Sequence, residues 1–234
     1  MQYQHPITYL PTGNVEADFK HALEGYDATL NNFLPADKSA EILDVGCGWG
    51  QFLWWLKGKG YTRARGVDIG SDQERHCRSI GLTVSRVDDS TAYLHDNADA
   101  FDLITLHHII EHLETREGLE LLRAAHKALR PGGRIIVQTP NMSAPSAGFS
   151  RYIEITHVTG YTESSLGEIL QMAGFKVSDV LGNKTPFRFS PRRMLWVVMQ
   201  KFSRQLWRLM LMSDLGTDTP RVLEKNLFAV GIKE

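Results

Sequence analysis

The chain has 234 residues, of which 42% are hydrophobic and 23% charged; these values are typical of a globular domain and exclude a disordered, collagen-like or coiled-coil chain. Its formal net charge of −1 argues against a general nucleic-acid-binding protein. Two cysteines, Cys47 and Cys77, cannot form a disulfide framework, and the first residues lack the basic start and apolar run of a signal peptide, so we expect a cytoplasmic protein.

Strands and helices are predicted to alternate along the chain. An amphipathic helix at 15–33 precedes the first strand, and most later strands are separated by helical patterns. The predicted strands span 41–46, 64–70, 82–88, 101–106, 134–140, 175–181 and 226–233. This alternation predicts an α/β fold with a doubly wound parallel sheet, in which ligands lie beyond the carboxyl ends of the strands.

A glycine-rich loop follows the first strand, in the run DVGCGWG at 44–50. Alternate glycines permit a tight turn and let a ligand approach the backbone at a helix N-terminus. The dinucleotide fingerprint G-x-G-x-x-G needs a third glycine where this chain has Gln51, so a pyrophosphate ligand is disfavoured. Asp44, just before the glycines, suits a ligand with a cationic group better than a phosphate.

Acidic residues also end the second and third predicted strands. Asp68 is placed to accept hydrogen bonds from both hydroxyls of a ribose, and Asp88 or Asp89 to meet the exocyclic amine of an adenine. Each acid taken alone is equally well explained by a solvated loop position or a helix cap. An acid or a glycine loop after each of the first three strands is, however, hard to attribute to coincidence.

The run LDVGCGWG…GVDIG…VDDS…FDLITLHHIIEHL…LRPGGRIIVQTPN, within 40–180, resembles the class I S-adenosylmethionine-dependent methyltransferases. The resemblance implies a seven-stranded Rossmann-like sheet in the order 3-2-1-4-5-7-6, with the last strand antiparallel. It also implies S-adenosylmethionine as cofactor, with Asp44 near the ammonium, the glycines against the methionine part, Asp68 on the ribose and Asp89, or less so Asp88, on the adenine amine. The implied cofactor-binding residues are Asp44, Gly46, Cys47, Gly48, Gly50, Asp68, Ile69, Asp88, Asp89, Ser90 and His107.

Four of the nine histidines fall at two adjacent strand ends, in HHIIEH at 107–112 and at His157. If the first turn after the fourth strand is helical, His108, Glu111 and His112 share a face. With His157 they resemble the E-x-x-E-H…H metal motif of ubiquinone-biosynthesis O-methyltransferases and plant-type small-RNA 2′-O-methyltransferases, although His108 replaces the first glutamate. The resemblance implies a Mg²⁺, Mn²⁺ or Zn²⁺ site that lowers the pKa of an acceptor hydroxyl.

Two other interpretations of these histidines stay open. A lone histidine base, one of His107, His108, His112 and His157, can take the proton of the acceptor. Alternatively, the run E-H-L caps a helix and shapes the cofactor floor, with no part in proton transfer.

The segment HVTGYTESSLGEILQMAGF, which begins at His157, resembles methyltransferases of quinone and cell-surface polysaccharide biosynthesis. This resemblance implies O-methylation of a hydroxyl on a small-molecule, quinone-like or glycan acceptor. The alternatives are an RNA 2′-O-methyltransferase and a cofactor-binding scaffold without catalysis. A nucleic-acid partner is unexpected, because the sequence has no recognisable RNA-binding module.

We expect one methyltransferase domain over 1–234. An N-terminal helical segment at 1–40 precedes a cofactor-binding core at 41–181 and 226–234, and a helical insertion at 182–225 lies beside the acceptor site. Residues 180–213 carry seven basic residues and no acid, whereas the remainder carries 19 basic against 27 acidic residues, a balance of −8.

Three interpretations of the basic insertion stay open. It is a helix packed on the domain with a solvated basic edge, a cap over an anionic or glycan acceptor, or an amphipathic helix. In the last case residues 192–212 contact a membrane that holds a lipid-linked acceptor.

Overall fold

A computed structural model describes residues 12–186 and 190–234. Arg188, one of the seven basic residues of 180–213, and residues 1–11 of the predicted N-terminal segment lie outside the described residues. The strands are β1 (Ile42–Val45), β2 (Ala64–Asp68), β3 (Val84–Arg86), β4 (Phe101–His107), β5 (Leu129–Pro140), β6 (Lys176–Gly182) and β7 (Asn226–Ile232). The α-helices are α1 (Val15–Leu30), α2 (Gln51–Gly58), α3 (Ser71–Ser79), α4 (Ser90–His95), α5 (Thr115–Ala128), α6 (Ala147–Tyr152), α7 (Glu163–Met172) and α8 (Pro191–Leu215).

All seven strands form one sheet in the order β3-β2-β1-β4-β5-β7-β6. β7 runs antiparallel to both β5 and β6, and the other neighbouring pairs are parallel. The predicted fold class, strand order and antiparallel last strand are therefore confirmed. Because β1 to β5 end at one edge of the sheet, the loops after them gather there.

Apolar side chains fill both faces of the sheet. On one face, Leu122 of α5 and Leu170 of α7 belong to a buried cluster with Ile104 of β4. On the other face, Phe52 of α2 packs in a second cluster with Leu103 of the same strand. Successive residues of β4 thus point to opposite layers, as expected for a parallel strand covered by helices on both sides.

Local signals explain where several elements begin. Thr162 caps α7 as predicted, accepting a hydrogen bond from the backbone N–H of Ser165. The third strand is shorter than predicted, whereas β5 begins five residues before the predicted 134. β5 begins early because Leu129 pairs with Phe101 of β4. An irregularity in the β4–β5 ladder separates this pair from the regular pairs that start at Leu103 and Arg134.

The predicted helical insertion is present as α8, between β6 and β7. Pro191 lies in its first turn, and none of its 25 residues is buried. The segment after α8 is firmly held, since the Glu163 carboxylate accepts hydrogen bonds from Arg221 N (3.0 Å), Arg221 Nε (2.8 Å) and Val222 N (3.1 Å). Within the described residues, no helix combines the length and apolar character needed to cross a bilayer.

Candidate active site

The glycine loop lies at the carboxyl end of β1, where its backbone requires glycine. Gly46 has φ +67° and Gly48 has φ +51°, in the left-handed region that other residues rarely adopt. A Cβ on Gly46 would lie 2.1 Å from Ile109 Cδ1, whereas one on Gly48 would meet no atom within 4 Å. Gly48 is thus required for its backbone conformation and not for close packing.

Asp68 links this loop to the end of β2. Its Oδ2 accepts a hydrogen bond from Gly48 N and its Oδ1 accepts one from Gly70 N, both at 2.8 Å. A carboxylate has about four acceptor positions, so two remain for hydroxyl donors. The backbone bonds fix the direction in which the two oxygens face.

Asp44 is buried beneath the loop and accepts a hydrogen bond from Thr105 Oγ1 at 2.7 Å. Burial raises the pKa of Asp44 to about 7; the Thr105 hydrogen bond opposes this shift and the nearby Asp68 charge adds to it. A cationic group placed nearby would favour the ionised carboxylate. Asp44 lies beneath the loop and is not among the residues that line the cavity described below, so its role beside an ammonium group stays a prediction.

Asp88 and Asp89 differ in their bonding. Asp89 caps α4, with Oδ1 accepting from Thr91 N at 2.7 Å and Ala92 N at 3.1 Å, which is the cap predicted as the alternative role. Asp88 is largely exposed and forms an ion pair with Arg86. Both residues nevertheless line the cavity described next.

A cavity of about 920 Å³ opens at this edge of the sheet, within the size range of small-molecule sites. The predicted cofactor residues that line it are Gly46, Asp68, Ile69, Asp88, Asp89 and Ser90, and the lining histidines are His108, His112 and His157. Cys47 instead packs in a buried cluster with Cys77 and Leu53. A Cβ on Gly50 would lie 2.5 Å from Leu82 Cδ1, so this glycine serves close packing against that side of the sheet.

Glu111 lies beside two histidines of the cavity lining, His112 and His157. One ligand atom of each of the three residues lies within 4.8 Å of the others, close enough for the group to hold a metal ion. The loop that carries His157 is fixed to the turn after β4, because Val158 N and Thr159 N both donate to the Glu111 carbonyl. Two distant segments of sequence thereby meet.

Hydrogen bonds define the free atoms of this cluster. His112 Nδ1 lies 3.0 Å from Thr156 Oγ1, whose hydroxyl donates to Glu154, and His157 Nδ1 lies 2.9 Å from the Ser150 carbonyl. Both Nδ1 atoms therefore carry a proton. This leaves the lone pair of His112 on Nε2, whereas His157 Nε2 lies 3.5 Å from Glu154 Oε2. Burial also lowers the pKa of His112, which favours the neutral ring.

The carboxylate of Glu111 completes the cluster and is almost fully buried. Its Oε1 lies 2.8 Å from His108 Nδ1, and its Oε2 has no hydrogen-bond partner among the described residues. An unpaired carboxylate oxygen in a buried position is costly, and a bound cation would compensate it.

His108 lies beside the cluster and not within it. Its Nδ1 bonds Glu111 and its Nε2 lies 2.8 Å from Gln138 Nε2, so neither ring nitrogen is free to bind a metal. The assumed helical turn that grouped His108 with Glu111 and His112 is wrong. His108 has φ +57°, and only the short 3₁₀ turn Ile110–His112 follows it.

His107 points to the opposite side of β4. Its ring packs against Phe52 at 4.5 Å between centroids, and its Nδ1 lies 2.8 Å from Gln138 Oε1. Burial lowers the pKa of His107 to about 4, so the ring is neutral at physiological pH. These contacts place His107 as a support for Gln138, since it does not line the large cavity in the described part of the chain.

A second cavity of about 610 Å³ lies on the other side of His108, between α1 and the start of α8. Lys184, Arg192 and Arg193 line it, and the described lining residues include no acid. His108 and Asn226 line both cavities, so they form the partition between them.

Sequence reasoning missed the residues that orient the histidines. Gln138, Ser150, Thr156 and Glu154 make those contacts. Gln138 had a readable signal, because it is a lone amide within the apolar strand segment RIIVQTP. Ser150 lies in the short helix α6, and Glu154 and Thr156 lie in the irregular loop after it, whose path periodicity does not reveal.

Residues 19–180 match a family model described as a methyltransferase domain. The chain belongs to this family. Its fold is that of the class I S-adenosylmethionine-dependent methyltransferases, and membership implies S-adenosylmethionine as cofactor.

Among curated proteins, this methyltransferase is 30% identical over 186 residues to phosphoethanolamine N-methyltransferase 1 of Arabidopsis thaliana, a match that covers 76% of this chain and 34% of the relative. It is 28% identical to the ubiquinone biosynthesis O-methyltransferase of Aliivibrio fischeri, over 47% of this chain and 48% of the relative. The chain thus spans about a third to a half of the length of these relatives.

Solved structures share the fold. The crystal structure of a SAM dependent methyltransferase from Archaeoglobus fulgidus aligns with a TM-score of 0.66 at 23% identity, covering 93% of this methyltransferase and 97% of that chain. Asp68 fits the implied cofactor, because it lines the cavity and keeps two acceptor positions for the ribose hydroxyls beside its two backbone hydrogen bonds.

Proposed function

We propose that this methyltransferase methylates a hydroxyl of a small-molecule, quinone-like or glycan acceptor, using S-adenosylmethionine and a divalent ion bound by Glu111, His112 and His157. When bound, S-adenosylmethionine supplies an electrophilic methyl group and leaves as S-adenosylhomocysteine. The observation that carries the proposal is the proximity of one ligand atom each from Glu111, His112 and His157, within 4.8 Å of one another, together with the buried, unpaired Glu111 Oε2.

Two imidazoles and one carboxylate form a ligand set suited to Mg²⁺, Mn²⁺ or Zn²⁺, with the harder ions favoured by the carboxylate and zinc by the imidazoles. Such an ion supplies a Lewis acid that lowers the pKa of a nearby hydroxyl. Thr156 and the Ser150 carbonyl hold the two imidazoles in the tautomer that ligation requires. The group would thus be oriented before an ion arrives.

Metal dependence is tested by binding and by turnover. Chelator-treated protein should bind Mn²⁺ in a spin-resonance titration, and His157→Gln should weaken this binding at least tenfold. The matched control is His95→Gln, because His95 is exposed at the end of α4. Formation of S-adenosylhomocysteine with a catechol acceptor should stop in chelator and return with Mg²⁺, Mn²⁺ or Zn²⁺.

The outcomes separate the three sequence-based interpretations. Full turnover in chelator, lost in His112→Gln or His157→Gln, assigns a histidine base in place of an ion. Turnover that survives both substitutions shows that neither histidine takes part in proton transfer. Cofactor binding without turnover on hydroxyl, amine or RNA acceptors favours a non-catalytic scaffold.

A second candidate function is N-methylation of an amine that bears a phosphate. The observation favouring it is the basic lining of the second cavity, where Lys184, Arg192 and Arg193 form no ion pair with another described residue. The Arabidopsis relative named above is a phosphoethanolamine N-methyltransferase. Parallel assays with phosphoethanolamine and a catechol distinguish the two candidates, since only one should yield a methylated product.

A further inference from the structure

Helix α8 is oriented against the usual rule for soluble proteins, because its polar side faces the protein. Arg204 Nη1 bonds Glu224 Oε1 at 3.0 Å, and Arg208 Nη2 donates to the Arg221 carbonyl at 2.8 Å. Trp207 also faces inward, with Nε1 donating to the Ser143 carbonyl at 3.0 Å. The contacts that seat α8 are thus largely hydrogen bonds and an ion pair. A helix that packs on a domain normally turns its apolar stripe inward.

The opposite side of α8 is here named the outward face. The exposed apolar residues of α8 that form it are Met194, Leu195, Trp196, Val198, Met199, Phe202, Leu206, Leu209, Met210, Met212 and Leu215. Their exposed fractions run from 48% to 71%. At 100° per residue, nine of the eleven fall within an arc of about 160°. Monomeric soluble proteins seldom expose a contiguous apolar surface of this extent, so the outward face is suited to a binding partner.

The width of the arc favours a lipid surface over a second copy of the chain. A two-helix seam uses two positions of each seven, a narrow stripe, whereas a helix lying in a membrane interface buries a broad face. Exposed cations also accompany the apolar residues. Arg192 lies at one margin of the arc and Lys201 at the other, and the first acid of α8 is Asp214, next to its end. This charge distribution complements anionic headgroups.

A second exposed apolar segment lies near α8. Phe149, Tyr152 and Ile155 follow β5 and are 65%, 79% and 78% exposed. The Trp207–Ser143 hydrogen bond joins α8 to the loop that leads from β5 into this segment, and Phe149 also lines the large cavity. A surface that covers both segments would therefore lie against the rim of the site.

We propose that the outward face of α8 binds the surface of an anionic bilayer, lying in its plane and not crossing it, with the rim of the large cavity turned toward the lipid. This inference does not depend on the acceptor or on the metal. It predicts that a membrane-dissolved acceptor has direct access to the site.

Flotation of the full chain with vesicles tests the proposal. Wild type should float with vesicles of phosphatidylcholine containing one third phosphatidylglycerol, and less with phosphatidylcholine alone. Combining Leu195→Ser, Phe202→Ser and Leu206→Ser should weaken binding at least tenfold, because each change removes apolar area from the lipid contact. Lys201→Glu should weaken only the binding that depends on phosphatidylglycerol.

The matched control is Met172→Ser on α7, since Met172 is 56% exposed outside the outward face. Circular dichroism and the melting midpoint should match wild type in every variant, because the replaced side chains are exposed. Absence of wild-type flotation, or equal flotation of the triple variant, overturns the proposal. Sedimentation velocity without vesicles should give a monomer; a dimer that the triple variant dissolves would assign the face to a second copy and also overturn it.

Discussion

Asp44 couples the stability of the protein to pH. Burial raises its pKa from 3.8 to about 7, so the folded protein retains a proton that the unfolded chain releases between about pH 4 and pH 7. The free energy of unfolding therefore falls as the pH rises through that window and levels off above it. The full shift of about three pH units corresponds to about 4 kcal/mol.

Asp44→Asn should remove this penalty. The amide keeps an oxygen that accepts from Thr105 but does not titrate, so the stability of the variant relative to wild type should increase by about 2–3 kcal/mol between pH 5 and pH 8. For a chain of this length that is a change of about 5 °C in melting midpoint. Comparing the stability difference between variant and wild type at two pH values isolates the effect of the Asp44 charge, because the amide group packs in the same way at both.

Urea unfolding of both proteins at pH 5 and pH 8 provides the measurement. A stability difference that stays constant between the two pH values would refute the reasoning, since it would show that Asp44 titrates alike in the folded and unfolded chain. The same substitution should weaken S-adenosylmethionine binding in calorimetry at pH 8 at least tenfold, because the ammonium loses its opposite charge. Wild-type affinity should rise between pH 6 and pH 8, with proton release on binding.

Four further substitutions test packing, hydrogen bonding and titration in the described structure. Gly66→Ala should lower the free energy of unfolding by roughly 1–3 kcal/mol, because the added Cβ would lie 2.6 Å from the sulfur atom of Cys47. Gly118→Ala should raise the free energy of unfolding by up to about 1 kcal/mol through helix propensity, because the atom nearest to its added Cβ would be 3.5 Å away. Glu163→Ala should cost about 2–3 kcal/mol in urea unfolding, because three donors after α8 lose their acceptor. His107→Phe should gain stability relative to wild type as the pH falls from 6.5 towards 4, by up to about 3 kcal/mol, because the neutral buried imidazole is penalised there.

Each of these tests has an internal comparison. Equal effects of alanine at the two glycines would contradict the packing argument. Glu168→Ala, on the exposed side of α7, should leave the free energy of unfolding within about 0.5 kcal/mol of wild type. A difference between His107→Phe and wild type that does not depend on pH would mean that the ring titrates normally.

The sequence predicted the sheet well because its signals are local. β1 and β4 are short, largely apolar runs that end at a glycine or a polar residue, and DVGCGWG places a required turn after β1. The Glu111, His112 and His157 group was also predicted, through residue types at two strand ends. His108 was misplaced because its left-handed backbone conformation depends on bonds to Gln138 and Glu111, which are made only after β4 and β5 pair.

The orientation of α8 could not be read from the sequence. Periodicity separates a polar side from an apolar side but does not indicate which side meets the domain. Here Glu224 and the Arg221 carbonyl lie where Arg204 and Arg208 can bind them, so the polar side turns inward. The expected basic edge in solvent is thus largely replaced by an apolar one, although Arg192 and Lys201 remain exposed.

The position of α8 also bears on how such a protein can diversify. The helix is inserted between β6 and β7, whose ladder extends from Lys176 to Gly182 with one irregularity between Val177 and Asp179. In the sheet order, β1 with its glycine loop lies three strands from β7, and β2 with Asp68 lies four strands from it. The length and composition of this connection can therefore differ between related proteins without any change in β1 and β2. Such differences would alter which molecules can reach the site while the residues predicted to bind the cofactor stay the same.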